Sequence, residues 1–210
     1  MLNFFAVTRS IYLALGDSTG VGVGAADGGG GYPERLLRRL GRNDVELRNL
    51  CRSGATSADL LVEQLPRALD LRPRAVTVGI GINDLGLQVP DEAFALNLEE
   101  IVLRLKEICP RILLVNLPDL ALAPAVARLV PRSLYEKRIE MFNVHLAATA
   151  ARHGLLLADL YASSKAALPG RPSLFSADGF HPSAAGYEEW AAFMLPHLRT
   201  LFDEKVTAVA

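Results

Sequence analysis

Short apolar segments alternate with longer amphipathic segments along the chain, and this alternation constrains the fold more than any other feature of the sequence. Each short segment is rich in Val, Leu or Ile and is bounded by turn residues, as buried strands usually are. The predicted strands are residues 11–15, 45–50, 75–80, 112–116 and 155–159. The predicted helices are residues 32–40, 57–69, 94–108, 134–151 and 183–201, with Ser57 as the N-cap of the second.

Strands that alternate with helices of this length predict an α/β fold with a parallel sheet covered by helices on both faces. Right-handed crossovers then limit the topology to a three-layer α/β/α sandwich around a five-stranded sheet. No internal repeat or linker interrupts the pattern, so we predict a single domain over residues 1–210.

Charge and hydropathy argue against two classes of partner. The formal net charge is −1 and the basic residues are scattered, which gives no nucleic-acid footprint. The basic run at residues 35–42 alternates with leucines, and we expect it to be a solvated helix face. No apolar run is long enough to span a membrane, and residues 1–9 lack the features of a signal peptide. We therefore expect a cytoplasmic location, unless an upstream signal has been removed.

Cysteines and most histidines carry no recognisable chemistry. Cys51 and Cys109 are too few for a disulfide framework, and we expect both to be buried free thiols. His145, His153 and His197 fall on predicted helices or just past one, where packing explains them. Because no cluster has metal-ligand spacing, we predict no metal and no cofactor.

The first candidate for chemistry is the turn after the first strand. In an open parallel sheet, ligands bind beyond the carboxyl ends of the strands. Residues 16–20 read GDSTG, which places Ser18 in a glycine-flanked turn that can expose its hydroxyl. A serine hydroxyl is a weak nucleophile and needs a base within hydrogen-bond reach. An N-cap serine is the alternative interpretation.

Two further turns supply candidate hydrogen-bond donors. Gly54 follows the second strand and can present its N–H to a ligand, although a plain turn glycine is the simpler interpretation. Asn83 follows the third strand in the run GIGIND, and its side-chain N–H can donate to a developing oxyanion. An Asx-turn explains Asn83 equally well at this stage.

The loop before the last helix holds a carboxylate and an imidazole three residues apart. Asp178 and His181 flank Gly179, which permits a sharp bend, and Pro182 suits the first position of the helix that follows. A carboxylate behind the imidazole fixes the ring tautomer and stabilises the imidazolium. The alternative is a helix start with a surface histidine.

These four blocks, taken in order, resemble the SGNH (GDSL-type) hydrolase family. The resembling residues are Gly16-Asp17-Ser18, Gly54, Gly81-Ile82-Asn83-Asp84 and Asp178-Gly179-Phe180-His181-Pro182. The resemblance implies that Ser18 is the nucleophile, His181 the base and Asp178 its orienting acid. It also implies an oxyanion hole made by the Ser18 N–H, the Gly54 N–H and the Asn83 side chain, and a flavodoxin-like strand order 2-1-3-4-5. Thr19 stands where the family often has Leu.

The function expected from this resemblance is that of a serine esterase or lipase acting on a small-molecule carboxylic ester. The segment 117–130 is apolar, with Leu120, Leu122, Val126 and Leu129, and few aromatic residues lie near the blocks. Both features favour short- or medium-chain acyl esters over sugars, although these leucines and valine can equally pack in the core. A carbohydrate O-deacetylase and an acyl-thioesterase remain alternatives, and the oligomeric state is open.

Three other interpretations fit parts of the sequence. Residues 16–20 match the Gly-x-Ser-x-Gly elbow of α/β-hydrolases, but only one strand precedes Ser18. A nucleotide- or flavin-binding module would use the loop at residues 16–24, which lacks both phosphate-binding glycine patterns. A non-catalytic ligand-binding protein of the same fold is the third.

Overall fold

The computed structural model describes residues 9–129 and 131–203. The segment at residues 1–9, for which we predicted no signal peptide, therefore lies almost entirely outside the described residues. Among the described helices, none is both long enough and apolar enough to traverse a bilayer.

Five parallel strands form one sheet in the order β2-β1-β3-β4-β5. The strands are β1 (Ser10–Gly16), β2 (Val45–Asn49), β3 (Ala75–Gly79), β4 (Ile112–Val115) and β5 (Leu156–Ala158). Each lies within one or two residues of its predicted position. The predicted α/β class, the all-parallel sheet and the strand order are confirmed.

Helices cover both faces of this sheet. The short helices are α1 (Ser18–Val21), α5 (Ile82–Gly86), α7 (Pro124–Ala127) and α9 (Leu160–Ala167). The longer ones are α2 (Tyr32–Leu40), α6 (Asp91–Ile108), α8 (Arg132–His153) and α10 (Ala184–Asp203). α3 (Ser57–Asp59), a π-helical turn (Leu60–Gln64) and α4 (Leu65–Leu69) follow one another without a break. Single 3-10 turns lie at Leu120–Leu122 and Pro172–Leu174.

The core is split in two by the sheet, because successive strand residues point to opposite faces. Leu13, Leu15 and Val78 pack with residues of α4, α6 and α8. Tyr12 and Leu113 face the other way and pack with residues of α2 and α10. The three predicted layers are present, while the prediction of a single domain over the whole chain stays a prediction.

One residue of the basic run differs from expectation. Arg35 is only 1% exposed, and its guanidinium contacts Asp27 at 2.6 Å and Glu188 of α10 at 2.7 Å. Arg38 and Arg39 are more exposed. The prediction of a solvated face was therefore wrong for Arg35, since the carboxylates of Asp27, eight residues away, and Glu188, 153 residues away, compensate its buried charge.

Both cysteines are free thiols. Cys109 is buried, as expected, whereas the residue Cys51 is only partly buried.

Candidate active site

The nucleophile candidate lies in a sharp turn at the end of β1, an interior strand of the sheet. Gly16 adopts φ of +151°, and a Cβ atom there would come within 2.2 Å of the Gly79 carbonyl oxygen. The Gln64 side chain holds Gly16 from both sides, accepting from its N–H at 2.9 Å and donating to its carbonyl at 2.7 Å. Only glycine, which has no Cβ atom, allows the two backbones to come this close, so the geometry of the turn requires glycine at position 16.

Ser18 occupies the first position of α1. Its N-cap is Asp17, whose Oδ1 accepts from the Thr19 N–H at 2.9 Å and the Thr19 hydroxyl at 2.8 Å. The N–H of Ser18 has no partner within the helix at this position, so it is available to a ligand. Asp17 itself is 1% exposed, and burial raises its pKa to about 6 despite the bonds from Thr19.

The loop that carries Asp178 and His181 is braced by its own hydrogen bonds. Asp178 Oδ1 accepts from the Ser176 hydroxyl at 2.7 Å and from the N–H groups of Phe180 and His181 at 2.8 and 2.9 Å. Its Oδ2 lies 2.6 Å from Nδ1 of His181. Gly179 has φ of +69°, which accommodates the bend. These hydrogen bonds thus hold Asp178 and His181, three residues apart in sequence, in a fixed relative position.

The hydrogen bonds of Asp178 favour its ionised form and determine which ring nitrogen of His181 donates to it. Partial burial acts to raise the pKa of Asp178, but the contacts with His181, the Phe180 N–H and Ser176 outweigh it and the pKa lies below its ordinary value. An ionised carboxylate only accepts hydrogen bonds, so Nδ1 of His181 carries the proton. In the neutral ring, Nε2 is then a free base.

The turn and the loop meet across the sheet edge. Nε2 of His181 lies 3.0 Å from Oγ of Ser18, which is the distance of a hydrogen bond. The three residues form a continuous chain of contacts from hydroxyl to imidazole to carboxylate. This arrangement can remove the serine proton as the oxygen attacks an electrophile.

The two other predicted donors lie on neighbouring turns. Gly54 has φ of +77° and sits inside the turn closed by the bond from the Ala55 N–H to the Arg52 carbonyl, 3.1 Å. The Arg52 N–H bonds in turn to the Gly16 carbonyl at 3.1 Å, which ties this turn to the nucleophile. Asn83 donates one side-chain hydrogen to the Ala55 carbonyl at 2.8 Å and keeps a second for a ligand.

A family model described as GDSL-like lipase/acylhydrolase matches residues 14–189. The chain belongs to this family. The match begins within β1 and extends past His181, so it includes every block on which the resemblance rested. A search among curated sequences finds no match.

Solved structures of similar fold agree with the GDSL-like assignment. The lipase Lip_vut3 from a goat rumen metagenome is 24% identical, with a TM-score of 0.72, over 90% of this chain and 97% of that one. TesA is 24% identical, with a TM-score of 0.76, over 91% and 99%. A catalytic mutant of Axe2, an acetylxylan esterase from Geobacillus stearothermophilus, is 20% identical, with a TM-score of 0.75, over 90% and 94%. At these identities the likeness is one of fold.

Beside the imidazole, this GDSL-like chain has an apolar cavity that is partly open to solvent. Its walls are α9, α10 and the segment around Leu120. Residues that line it include Leu120, Leu160, Ala167, Leu168, Leu174, Phe175, Phe180, His181 and Trp190. An apolar group bound there would lie next to the reacting atoms.

Two sequence-based expectations fail at this cavity. We expected few aromatic residues near the site, yet Phe175, Phe180 and Trp190 line the cavity because α10 and the His181 loop fold over it. We also assigned no helix between β5 and the last loop, and α9 was missed. Its signal was Asp159, an N-cap residue whose side chain accepts from the Ala162 N–H.

Of the apolar segment 117–130, Leu120 borders the cavity, whereas Leu129 is 82% exposed and Val130 lies outside the described residues. Elsewhere, His145 and His153 contact Asp91 and Glu99 on α6, far along the chain from the site. Within residues 9–129 and 131–203, no group of three or more His, Cys, Asp or Glu side chains is arranged to hold a metal ion.

Proposed function

We propose that the protein is a serine esterase that hydrolyses carboxylic esters through an acyl-serine intermediate. The observation that carries this proposal is the continuous contact chain of the triad: 3.0 Å from Ser18 Oγ to His181 Nε2, and 2.6 Å from His181 Nδ1 to Asp178 Oδ2. Membership of the GDSL-like lipase/acylhydrolase family supports the same reaction class.

The reaction follows from the proton positions. Ser18 Oγ attacks the ester carbonyl while Nε2 of His181 accepts its proton, and Asp178 stabilises the imidazolium. The tetrahedral intermediate collapses, the C–O bond to the alcohol breaks, and His181 returns the proton to the leaving oxygen. A water molecule then gives a proton to Nε2 while its oxygen bonds to the acyl carbon. The bond from the acyl carbon to Ser18 Oγ breaks, and His181 returns the proton to Oγ as the acid leaves.

In this proposal, three donors hold the negative oxygen of the intermediate. They are the N–H of Ser18 at the start of α1, the N–H of Gly54 and the free hydrogen of the Asn83 amide. Loss of one such donor costs about two to three orders of magnitude in kcat in other acyl-transfer enzymes. We expect Asn83→Ala to fall in this range.

The substrate in this proposal is a short- or medium-chain acyl ester. The cavity beside His181 is lined mainly by aliphatic and aromatic side chains, which favour an apolar group. Each methylene that it buries contributes about 0.8 kcal/mol. The aromatic residues Phe175 and Trp190 also offer a surface on which a sugar ring can stack, so an acetylated saccharide is the second candidate.

A panel of substrates tests the reaction and its selectivity together. p-Nitrophenyl esters from acetate to dodecanoate are compared with acetylated xylo-oligosaccharides and with acyl-CoA thioesters. We expect the highest kcat/KM for an acyl ester of intermediate length. A clear preference for the saccharide or for the thioester would replace the acyl-ester assignment.

The nucleophile is tested by substitution and by labelling. Ser18→Ala is expected to abolish turnover and covalent modification by an organophosphate, while Ser133→Ala, an exposed serine at the start of α8, keeps both. Turnover or labelling that survives Ser18→Ala would refute the mechanism.

A further inference from the structure

Asp84 is a fully buried carboxylate that takes no part in the contact chain of the triad. Its side chain is 0% exposed and, among the residues that the structure describes, accepts hydrogen bonds from Ser57 alone. The Ser57 hydroxyl donates to Oδ1 at 2.5 Å, and the Ser57 N–H lies 2.9 Å from Oδ2 and 3.1 Å from Oδ1. Burial raises the pKa of Asp84, and the bonds from Ser57 oppose that rise.

Ser57 was expected to cap its helix, but Thr56 does so instead, accepting from the Asp59 N–H. The Ser57 side chain is thereby left free for Asp84. Its oxygen also accepts from Nδ2 of Asn97 on α6, at 2.9 Å. Asn97, Ser57 and Asp84 form a chain in which the direction of every hydrogen bond is set, because the amide and the hydroxyl donate and the carboxylate accepts.

These hydrogen bonds join the two segments that carry Gly54 and Asn83, which are the proposed oxyanion donors outside the Ser18 turn. Asp84 directly follows Asn83, and Ser57 lies three residues after Gly54. The bond from the Asn83 amide to the Ala55 carbonyl is a second link between the same segments. Two cross-links, over sequence separations of 27 and 28 residues, therefore set the position of one donor relative to the other.

A buried carboxylate is a costly way to stabilise a fold, since charge leaves water. An apolar pair of similar volume would hold the two segments together without that cost, but it would not define their orientation. Directional hydrogen bonds define the orientation of the two segments. Oxyanion stabilisation depends on donors that are held in place before the reaction.

We infer that Asp84 is a positioning residue of the oxyanion hole: by clamping Ser57 it holds the Gly54 N–H and the Asn83 amide in mutual register. This inference rests on the proposed function, because it assigns a role in stabilising the same acyl-transfer intermediate. Asp84 itself does not touch the substrate.

The first test is Asp84→Asn. This variant keeps the shape of the side chain but places an amide NH2 group, which cannot accept a hydrogen bond, against the donors of Ser57. We expect kcat for the best p-nitrophenyl ester to fall about 10- to 100-fold, the range usual for outer-shell partners of functional groups. KM is expected to change less than about 3-fold, because the lost interaction acts in the transition state. Ser57→Ala removes the hydroxyl's bonds to Asp84 and Asn97 but leaves the backbone N–H bound to Asp84, so its kcat should fall less, about 3- to 10-fold.

A double-mutant cycle separates positioning from general support of the fold. In the Asn83→Ala background, one of the two clamped donors is absent, so Asp84→Asn should lower kcat at least about 3-fold less than it does in the wild type. An equal loss in both backgrounds would overturn the inference, as would an unchanged kcat in Asp84→Asn. Leu105→Ala, a core substitution in α6, is the control that lowers the melting temperature without lowering kcat.

Folding and function are checked separately. If Asp84→Asn fails to fold, Ser57→Ala and Asn97→Ala decide the question, since each removes hydrogen bonds of the same network by changing an uncharged residue. The inference requires both variants to lower kcat and to leave KM unchanged. Wild-type turnover and organophosphate labelling of Ser18 are measured first. Absence of either overturns the esterase proposal and this inference with it, whereas an active wild type with a fully active Ser57→Ala and Asn97→Ala overturns only the role of Asp84.

Discussion

Nε2 of His181 lies 3.0 Å from Oγ of Ser18, although 163 residues separate them in the chain. Ser18 is placed by the end of β1, and His181 by a loop that precedes α10. Because all five strands are parallel and β1 lies between β2 and β3, the loops at their carboxyl ends converge on one edge. The sheet therefore brings together groups that the local sequence supplies separately.

The orientation of this imidazole depends on Asp178, and Asp178→Asn should lower kcat by about three to four orders of magnitude. The amide nitrogen cannot accept from Nδ1, so the ring loses the tautomer that leaves Nε2 free. Steady-state kinetics on p-nitrophenyl esters measure the loss. Ser176→Ala, which removes one bond to Asp178 but spares the bond to His181, should lose less than about 10-fold. Equal losses in the two variants would contradict the role of Asp178.

Filling the cavity should shorten the preferred acyl chain. Ala167 lines the cavity, and a tryptophan there would occupy space needed by longer chains. We expect Ala167→Trp to lower kcat/KM for the octanoate ester by about 10- to 100-fold, the value of two to three buried methylenes, and to spare the acetate ester. The neighbouring Ala166 is exposed, and Ala166→Trp is the matched control. An unchanged chain-length profile in Ala167→Trp would place the acyl group elsewhere.

Buried Asp17 should make the stability of the protein depend on pH. Its pKa of about 6 in the folded state exceeds the value of about 3.9 for an unfolded chain, so folding favours the neutral form. The contribution is fully present below pH 4 and is lost as the pH rises through 6, by up to about 3 kcal/mol. Urea unfolding at pH 5 and pH 8 should show a smaller difference for Asp17→Asn than for the wild type.

Asp178 serves as the contrasting case for that measurement. Its pKa is lowered in the folded state, so its contribution is present above the unfolded pKa and is lost as the pH falls below about 4. Asp178→Asn should therefore lower stability by the same amount at pH 5 and pH 8, which leaves the change between these pH values intact, and the loss should shrink as the pH falls below about 4. An identical pH profile for the wild type and Asp17→Asn would show that Asp17 is ionised without cost.

The close approach of β1 and β3 at Gly16 should tolerate no side chain. A Cβ atom would lie 2.2 Å from the Gly79 carbonyl oxygen, and the positive φ adds conformational strain. Gly16→Ala should lower the free energy of unfolding by about 2–5 kcal/mol, from strain and overpacking together. Gly41→Ala has the strain without the clash, because no atom of residues 9–129 or 131–203 lies within 4 Å of that Cβ, and should cost about 1 kcal/mol. Denaturant unfolding compares the two.

Periodicity and turn chemistry were sufficient to predict the five strands, five of the helices, the layer arrangement and the placing of the four functional blocks. These features depend on a residue and its near neighbours: the apolar run of β1, the glycines around Ser18, and the spacing of Asp178 and His181 in one loop. The strand order and the roles of the blocks came from the resemblance to a known family. The strand order is confirmed, whereas the roles await the kinetic tests above.

Tertiary structure alone decided the features that depend on contacts between distant residues. A basic run does not reveal that Arg35 is buried, because its partner Glu188 lies 153 residues away. The sequence predicted Ser57 as a helix cap, but in the structure its hydroxyl donates to Asp84, which follows a different strand. The aromatic wall of the cavity likewise exists only after α10 and the His181 loop fold over it. Local sequence specifies what each segment can form, but burial and pairing are properties of the assembled core.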